Sequence, residues 1–513
     1  MNCSFARRLC AALVAAAFSL LLFTAGACAG ESPKMKAGLA EADITPEPGM
    51  EKPGGYGKSY NKIVHDPCKV RVAVFDDGKM RVAVVGIDAL VVRRPLVEAA
   101  RKRIHEKCGI RPEAILIGAS HSHSSGPTGM ILPGEFDHAS DLVKTLAYEK
   151  SSCADAKYLV HVENQIVEAV CRADANRAEV RCGAGVGIED KVAFNRRFRM
   201  KNGMTHTHPG QGNPELVEPA GPTDPEVGVI GVWDGKGEKF LGCVVNFSCH
   251  ATCSAPGTSA NWIYYMEQVI RGSMMNPEAI VVFLQGACGD VTQVDNLSPY
   301  VRPAPARWSQ LVGGRVGAEA VKVLLSMEPG VLAPLDAKVK LWDVARRKPN
   351  PARVKQCLEL VQKDPKQVGA TEWTFAKEIV LLDALLSKEP IKKVEVQAVQ
   401  VGPVVMLTNP AEYFCQFGLD IKARSPFKIT FPVELANDCV GYVPTEEALG
   451  PHGGGYETRL TSYSNLEPTA GRQMVDAAIE LAKQMQPGPM PEPAKAPAAK
   501  ESWGYGRVPP ELE

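Results

Sequence analysis

The chain has 513 residues, of which 45% are hydrophobic, and its 58 Lys and Arg residues balance its 58 Asp and Glu residues. A chain of this length and composition can bury one large core or two ordinary ones. The lack of net charge argues against a basic nucleic-acid-binding surface or an acidic tail, so the expected partner is a small or near-neutral ligand and not a nucleic acid.

The N-terminus has the three parts of a secretory signal. A pair of arginines precedes an apolar stretch at 9–23, and small residues follow at 25–27. We therefore expect residues 1–29 to be a signal peptide and the mature protein to be secreted or to lie in the periplasm or cell envelope. A lipoprotein cut with acylation of Cys28 is the alternative, although Ala25 stands where such signals usually carry Leu. No later run of about 18 apolar residues predicts a transmembrane helix in the mature chain.

The 15 cysteines include no Cys-x-x-Cys pair of the kind found in zinc ribbons and redox sites. Pairing in an oxidising compartment is open, but the sequence does not assign the partners. Cys249, Cys253 and Cys288 stand near residues that carry chemistry. Because small buried cysteines are common near packed sites, we do not expect these three to be metal ligands.

Strand and helix patterns alternate from residue 70 onward. Residues 70–75 and 81–87 predict a hairpin, and a helix is predicted from about Pro95 to Lys107, opened by its proline. The alternation of strands and helices continues at 240–247, 264–275, 279–284, 308–327, 394–399 and 403–408. The sequence therefore predicts an α/β fold, a layered domain with a mixed β-sheet flanked by helices, with 350–389 as a helical outer layer.

Two segments are rich in proline and lack this alternation. Between 194 and 227 we expect a long ordered loop that shapes a binding site, with His206 and His208 solvated rather than bound to metal. Residues 487–513 are rich in Pro and Ala, cannot bury a core and are predicted to be a disordered tail. The folded domain is therefore expected to span 34–486.

His121 and His123 follow the apolar run at 114–119, so two imidazoles stand where a buried strand ends in a polar loop. Alternate residues of a strand point to the same side, about 6.5 Å apart. Both rings can therefore approach one metal ion, or one can bind it while the other transfers protons. Taken alone, the pair is also compatible with an accident of surface composition.

Three later strands end in comparable polar segments. The apolar runs that end near 249, 288 and 411 lead to His250, to Gly289-Asp290-Val291-Thr292 and to Glu412. Polar groups at the ends of several strands form sites in open α/β sheets. Two histidines and a carboxylate would form a zinc site that leaves room for a water molecule. The sequence therefore predicts a metal site at the strand ends.

Seven blocks of the chain occur in the order found in one enzyme family. They are Ala42-Asp43-Ile44-Thr45-Pro46 with Gly55-Tyr56-Gly57, Ala119-Ser120-His121-Ser122-His123-Ser124, Asn195-Arg196, Asn246-Phe247-Ser248-Cys249-His250, Gly289-Asp290-Val291-Thr292, Pro410-Ala411-Glu412-Tyr413-Phe414 and Gly441-Tyr442-Val443-Pro444-Thr445-Glu446-Glu447. With these blocks the chain resembles the catalytic domain of the neutral/alkaline non-lysosomal ceramidases, over roughly residues 37–485.

The resemblance implies a set of site residues. Zn²⁺ would be held by His121, His250, Glu412 and Tyr442, with His123 beside the metal as a proton-transfer group and Arg196 and Tyr456 lining the substrate pocket. Tyr442 comes from the resemblance alone, because a lone loop tyrosine is usually a packing residue. The implied activity is hydrolysis of the N-acyl amide bond of ceramide-like lipids by a zinc-bound water, whose pKa the metal lowers from about 15.7 to about 7. A lipid substrate also implies peripheral contact with a membrane.

The chain departs from the family at the hexapeptide Gly-Asp-Val-Ser-Pro-Asn, whose serine is a candidate nucleophile. Here the segment reads Gly289-Asp290-Val291-Thr292-Gln293-Val294. Thr292 keeps a hydroxyl and stays a candidate catalytic residue, but a zinc-bound water is the expected nucleophile. Two alternatives remain open: a zinc hydrolase of another acyl amide or ester, and a non-catalytic binding module on the same fold.

Overall fold

The computed structural model describes residues 34–253 and 256–512. The predicted signal peptide, with Cys28, lies outside the described residues, so both expectations about the N-terminus stay predictions.

The strands are β1 Lys36–Asp43, β2 Lys69–Asp76, β3 Arg81–Ile87, β4 Ile115–Ala119, β5 Ala178–Ile188, β6 Phe194–Asn195, β7 Arg197–Met200, β8 Thr205–Thr207, β9 Leu216–Pro219, β10 Glu226–Asp234, β11 Phe240–Phe247, β12 Ile280–Gln285, β13 Val291–Thr292, β14 Leu335–Ala345, β15 Ile391–Val401, β16 Val404–Thr408, β17 Glu412–Tyr413, β18 Ile429–Val433 and β19 Tyr442–Val443. The α-helices are α1 Arg94–Cys108, α2 Asp141–Tyr148, α3 Ala156–Ala175, α4 Trp262–Ser273, α5 Pro305–Leu325, α6 Pro351–Leu360, α7 Pro365–Val368, α8 Ala370–Lys388, α9 Cys415–Arg424 and α10 Ala470–Ala482. Short 3-10 helices lie at Pro112–Ala114, Tyr456–Thr458 and Gly504–Arg507.

Eight strands form the main sheet in the order β12-β11-β10-β5-β1-β2-β3-β4. Neighbouring strands are antiparallel except for β3–β4 and β11–β12, which are parallel and are connected through α1 and α4. Helices α3, α4 and α5 pack on the sheet. The prediction of an α/β domain with a mixed sheet flanked by helices is confirmed.

The sheet curls so that β12 also packs across β2, β3 and β4. Gly86 in β3 permits this approach, because a Cβ at that position would lie 2.4 Å from the carbonyl oxygen of Phe283 in β12. The curl explains why polar segments that follow β4, β11 and β12 meet on one side of the sheet.

A second sheet has the order β14-β15-β16-β18. The segment after β18 joins it to the main sheet: Ala119 donates its N–H to the Leu435 carbonyl at 3.1 Å, and Asn437 donates to the Ile117 carbonyl at 2.9 Å. Glu434 donates in the same way to Gln285 at 3.0 Å. These bonds bring the end of β16, and with it Glu412, to the end of β4.

Helix α1 shows how local sequence sets an element. A proline lies in its first turn, and Gly109 ends it in the left-handed conformation with φ 71°. The buried face repeats at helical spacing and consists of Leu96, Val97, Ala100, Arg101 and Ile104. The observed bounds differ by one residue at each end from the predicted helix.

The segment at 194–227 differs from its predicted description as a loop. It contains β6 and a small sheet of order β8-β7-β9, whose strands have only 3 or 4 residues. Strands this short cannot show a reliable alternation of apolar and polar residues. His206 and His208 are exposed, in keeping with the expectation that they are solvated.

Residues 487–512 contain no strand or α-helix and are mostly exposed, and their predicted disorder stays a prediction. Among the residues that the structure describes, no helix combines the length and the apolar character needed to cross a bilayer.

Candidate metal centre

The loops after β4 and β11 are held side by side. His121 has φ 60°, a conformation uncommon outside glycine, and it turns the chain at the end of β4. Ser122 then pairs with Ala251, and His123 donates its N–H to the Ala251 carbonyl at 3.2 Å. His250 is therefore placed directly beside the histidine pair.

Three imidazoles and one carboxylate converge at this point. The ligand nitrogens of His121, His123 and His250 all lie within 4.8 Å of one another. Glu412 Oε2 lies 3.3 Å from His121 Nε2 and 3.2 Å from His250 Nε2. His121, His250 and Glu412 are 1%, 0% and 2% exposed, so these three side chains are shielded from bulk solvent.

Backbone carbonyls fix the orientation of two of the rings. His121 Nδ1 donates to the Leu90 carbonyl at 2.9 Å, and His250 Nδ1 donates to the Cys288 carbonyl at 2.7 Å. This tautomer, assigned from the hydrogen-bond partners, leaves both Nε2 lone pairs facing Glu412. Second partners that orient metal-bound histidines are typical of metal sites.

The same arrangement tests whether a metal fits. Within the described part of the chain, Glu412 Oε2 is buried and has no hydrogen-bond partner. A buried carboxylate oxygen that faces two imidazole lone pairs is costly unless positive charge lies between them. Imidazole nitrogens with a carboxylate are a donor set that suits Zn²⁺. The residues present therefore fit a zinc ion.

The shifted pKa values of the three histidines and of Glu412 also indicate that this group of side chains needs a positive charge. Burial lowers the pKa of His250 to about 3 and holds the pKa of His123 well below its usual value, so both rings are neutral. Burial acts to raise the pKa of Glu412, but His121 and His250 outweigh it and hold that pKa well below its usual value. Burial alone would lower the pKa of His121, yet Glu412 raises it. Without an ion, a proton on His121 would be the alternative counter-charge for Glu412.

Glu412 is anchored on both sides. Its backbone lies opposite Tyr442 in the parallel pair of β17 and β19. Its Oε1 accepts a hydrogen bond of 2.7 Å from the hydroxyl of Tyr463. The Tyr442 hydroxyl bonds to the Tyr456 hydroxyl at 2.8 Å. Tyr463 was not predicted from the sequence, because a tyrosine in a polar loop carries no pattern that marks it as the hydrogen-bond partner of a metal ligand.

Arg196 lies behind these tyrosines. Its guanidinium is 3% exposed and donates to Glu457 at 2.8 Å, to the Gly289 carbonyl at 2.7 Å and to the Tyr442 hydroxyl at 3.1 Å. A longer contact of 3.4 Å joins Arg196 Nη1 to His250 Nε2. Glu457, which is fully buried and neutralises Arg196, was also missed from the sequence.

Thr292 is placed differently. Its hydroxyl accepts the N–H of Val294 at 3.2 Å, and its backbone pairs with Phe194 between β13 and β6. It is outside the group of described residues that line the pocket above the imidazoles. The structure therefore brings six of the predicted site residues together around Glu412, namely His121, His123, Arg196, His250, Tyr442 and Tyr456. The Thr292 hydroxyl instead binds a backbone N–H two residues along the chain.

The pocket above the imidazoles has about 350 Å³ of empty space, including its mouth. Its walls are mainly aromatic and aliphatic, and its lining consists of Gly54, Gly55, Tyr56, Leu90, His121, His123, Met130, Glu412, Tyr442, Tyr456 and Tyr463. Gly54 has φ 105°, and a Cβ there would lie 2.4 Å from His123 Nδ1, so glycine lets this loop cover the ring. Apolar walls around a few convergent polar groups are typical of a small-molecule site.

No family model matches the sequence, and no curated protein matches it significantly. Solved structures do match its fold. Neutral ceramidase from Pseudomonas aeruginosa matches with a TM-score of 0.66 and 20% sequence identity, over 90% of this chain and 77% of that chain. A ceramidase complexed with C2 matches with a TM-score of 0.63 and 19% identity, over 91% of this chain and 78% of that chain. The expectation of a ceramidase-like fold is confirmed.

Proposed function

We propose that the protein is a zinc-dependent hydrolase that cleaves the N-acyl amide bond of ceramide-like lipids. The observation that carries the proposal is the convergence of His121, His250 and Glu412 beside an aromatic-walled pocket, which His121 and Glu412 line. The fold shared with ceramidases supports the choice of an amide substrate.

In this proposal His121, His250, Glu412 and Tyr442 hold the ion. Zn²⁺ bound there would supply a Lewis acid for the substrate carbonyl and a water of lowered pKa. The fit of Tyr442 rests on its register pairing with Glu412 and on the Arg196 N–H that its hydroxyl accepts. Burial raises the pKa of Tyr442 well above its usual value, with Glu412 acting in the same direction and Arg196 against it.

His123 is the group proposed to move the proton. Its Nε2 lies 3.2 Å from Nε2 of His121 and therefore faces the centre. A neutral imidazole at this place can take a proton from the attacking water and deliver one to the leaving amine.

The tyrosines shape the substrate end of the site. Tyr56 and Tyr456 line the pocket with Met130 and Leu90, and these surfaces suit an acyl chain. Arg196 is not one of the described lining residues and acts by holding the Tyr442 hydroxyl in place. We therefore assign Tyr456 to substrate contact and Arg196 to positioning, with a direct contact to the substrate carbonyl as the alternative for Arg196.

We also propose that the protein acts outside the cytoplasm, secreted or in the cell envelope, with peripheral contact to a membrane that supplies its lipid substrate. The basic, apolar and small-residue segments of the N-terminus support export.

The test compares substrates directly. Purified protein, loaded with zinc, is incubated with a short-chain fluorescent ceramide and with a panel of acyl esters. We expect cleavage of the ceramide amide, loss of activity with a chelator and recovery with added zinc. The control variant His206→Ala changes an exposed histidine of β8 and should keep the parent rate. Cleavage of esters only, or no turnover of either class by zinc-loaded protein, would contradict the proposal.

A further inference from the structure

We propose that Cys108 and Cys171 form a disulfide bond that joins α1 to α3. The inference is independent of the proposed hydrolase activity. It concerns a pair of side chains on α1 and α3, which precede and follow β4 in the chain and pack against each other.

The two thiols are in direct contact. Their Sγ atoms lie 2.7 Å apart, although the residues are 63 positions apart in the chain. This is the only sulfur–sulfur contact among the 12 cysteines that the structure describes. Cys108 is the last residue of α1, and Cys171 lies in the last two turns of α3.

Other contacts set the spacing of the two helices. Arg103 of α1 forms an ion pair of 2.6 Å with Glu163 of α3. The apolar residues Ala100 and Ile104 of α1 are fully buried in the same core cluster as Val170 of α3. The helices would therefore bring the cysteines together without help from a covalent bond.

Both cysteines are only half-buried, so an oxidant in solution can reach them. Formation of the bond removes two protons and two electrons from the two thiols and transfers them to a small disulfide such as oxidised glutathione, which is released as two thiols. Such bonds persist in oxidising compartments, which agrees with the proposed export.

The bond would close the part of the chain that carries the histidine pair of the candidate site. Strand β4, His121 and His123 lie between Cys108 and Cys171. A crosslink across 63 residues restricts the unfolded chain and so favours the folded arrangement of this segment.

The first test is a peptide map. Full-length protein purified under reducing conditions is incubated with oxidised glutathione, alkylated in denaturant and digested with trypsin. We expect a crosslinked peptide pair that contains Cys108 and Cys171, two hydrogens lighter than the free peptides and absent after reduction. Cys108→Ser and Cys171→Ser should each remove it, while Cys153→Ser, at a half-buried cysteine bonded to the Ala147 carbonyl, should keep it. Complete alkylation of both thiols, or their pairing with other cysteines, would overturn the proposal.

The second test measures thermal stability. Reduction of the oxidised parent should lower its Tm by about 5 °C, as expected for a crosslink that closes a long loop. The Tm of Cys108→Ser should not respond to the reductant. Equal responses of the parent and the variant would contradict the bond. Neither measurement uses substrate turnover, so failure here leaves the proposed hydrolase activity intact, and the reverse also holds.

Discussion

Replacement of Tyr463 by Phe tests how the carboxylate ligand is held. The substitution removes only the hydroxyl that donates to Glu412 Oε1 at 2.7 Å. A hydrogen bond to a charged group contributes about 1.5–3 kcal/mol. Because about 1.4 kcal/mol corresponds to a tenfold change in binding, the zinc affinity of Tyr463→Phe should fall by about 10- to 100-fold.

The assay is competition with a chromophoric zinc chelator at fixed pH. The matched control is Tyr148→Phe, which removes a hydroxyl that bonds to Phe136 N–H and to Asp137, each at 2.8 Å, and that does not line the pocket in the described part of the chain. Its zinc affinity should equal that of the parent. If Tyr463→Phe binds zinc within twofold of the parent, or if both variants lose affinity equally, Tyr463 does not orient the ligand and the reasoning fails.

Three further predictions concern the site and its surroundings. His250→Ala should lose both bound zinc and activity, while His123→Ala should retain most of its zinc and lose rate; turnover by His123→Ala at the parent rate would refute its proton-transfer role. Arg196→Met should lower zinc affinity and kcat/KM by about 10- to 100-fold, because the Tyr442 hydroxyl loses the N–H that holds it; chelator competition and the fluorescent ceramide measure the two, and unchanged values would remove Arg196 from the mechanism. Burial raises the pKa of Asp66 from about 3.8 to about 6, so the folded state holds its proton more tightly than the unfolded state. The free energy of unfolding should therefore fall by up to about 3 kcal/mol as the pH rises from about 4 to 6. Urea titrations of Asp66→Asn should lack this part of the slope, and equal slopes in variant and parent would contradict the assignment.

The residues that follow strongly apolar strands could be predicted from the sequence. His121, His250 and Glu412 lie two, three and four residues after the ends of β4, β11 and β16, where a buried run stops and polar groups begin. The alternation of strand and helix was therefore sufficient to place His121 and His250 at strand ends of the main sheet, whereas Glu412 follows a strand of the second sheet, which the segment after β18 joins to the main sheet.

The partners of these residues could not be predicted in the same way. Tyr463 and Glu457 lie in or beside irregular segments, and only the tertiary fold brings them to Glu412 and Arg196. The contact between Cys108 and Cys171 likewise depends on how two helices pack, which cysteine spacing alone does not reveal.

Thr292 shows the limit of carrying a residue over from a resemblance. The block around Gly289 does lie at the site, because its carbonyl accepts from Arg196 at 2.7 Å. The side chain within that block is nevertheless used to bind the N–H of Val294. A matching block fixes where the backbone runs, but not which side chains face the pocket.

The proposed mechanism depends on one zinc ion bound between His121, His250 and Glu412. Anomalous X-ray diffraction at the zinc edge, on crystals of zinc-saturated protein, tests it most directly. We expect one strong peak within bonding distance of Nε2 of both histidines and of the Glu412 carboxylate. A map with no peak there, or with the zinc bound only at other residues, would contradict it.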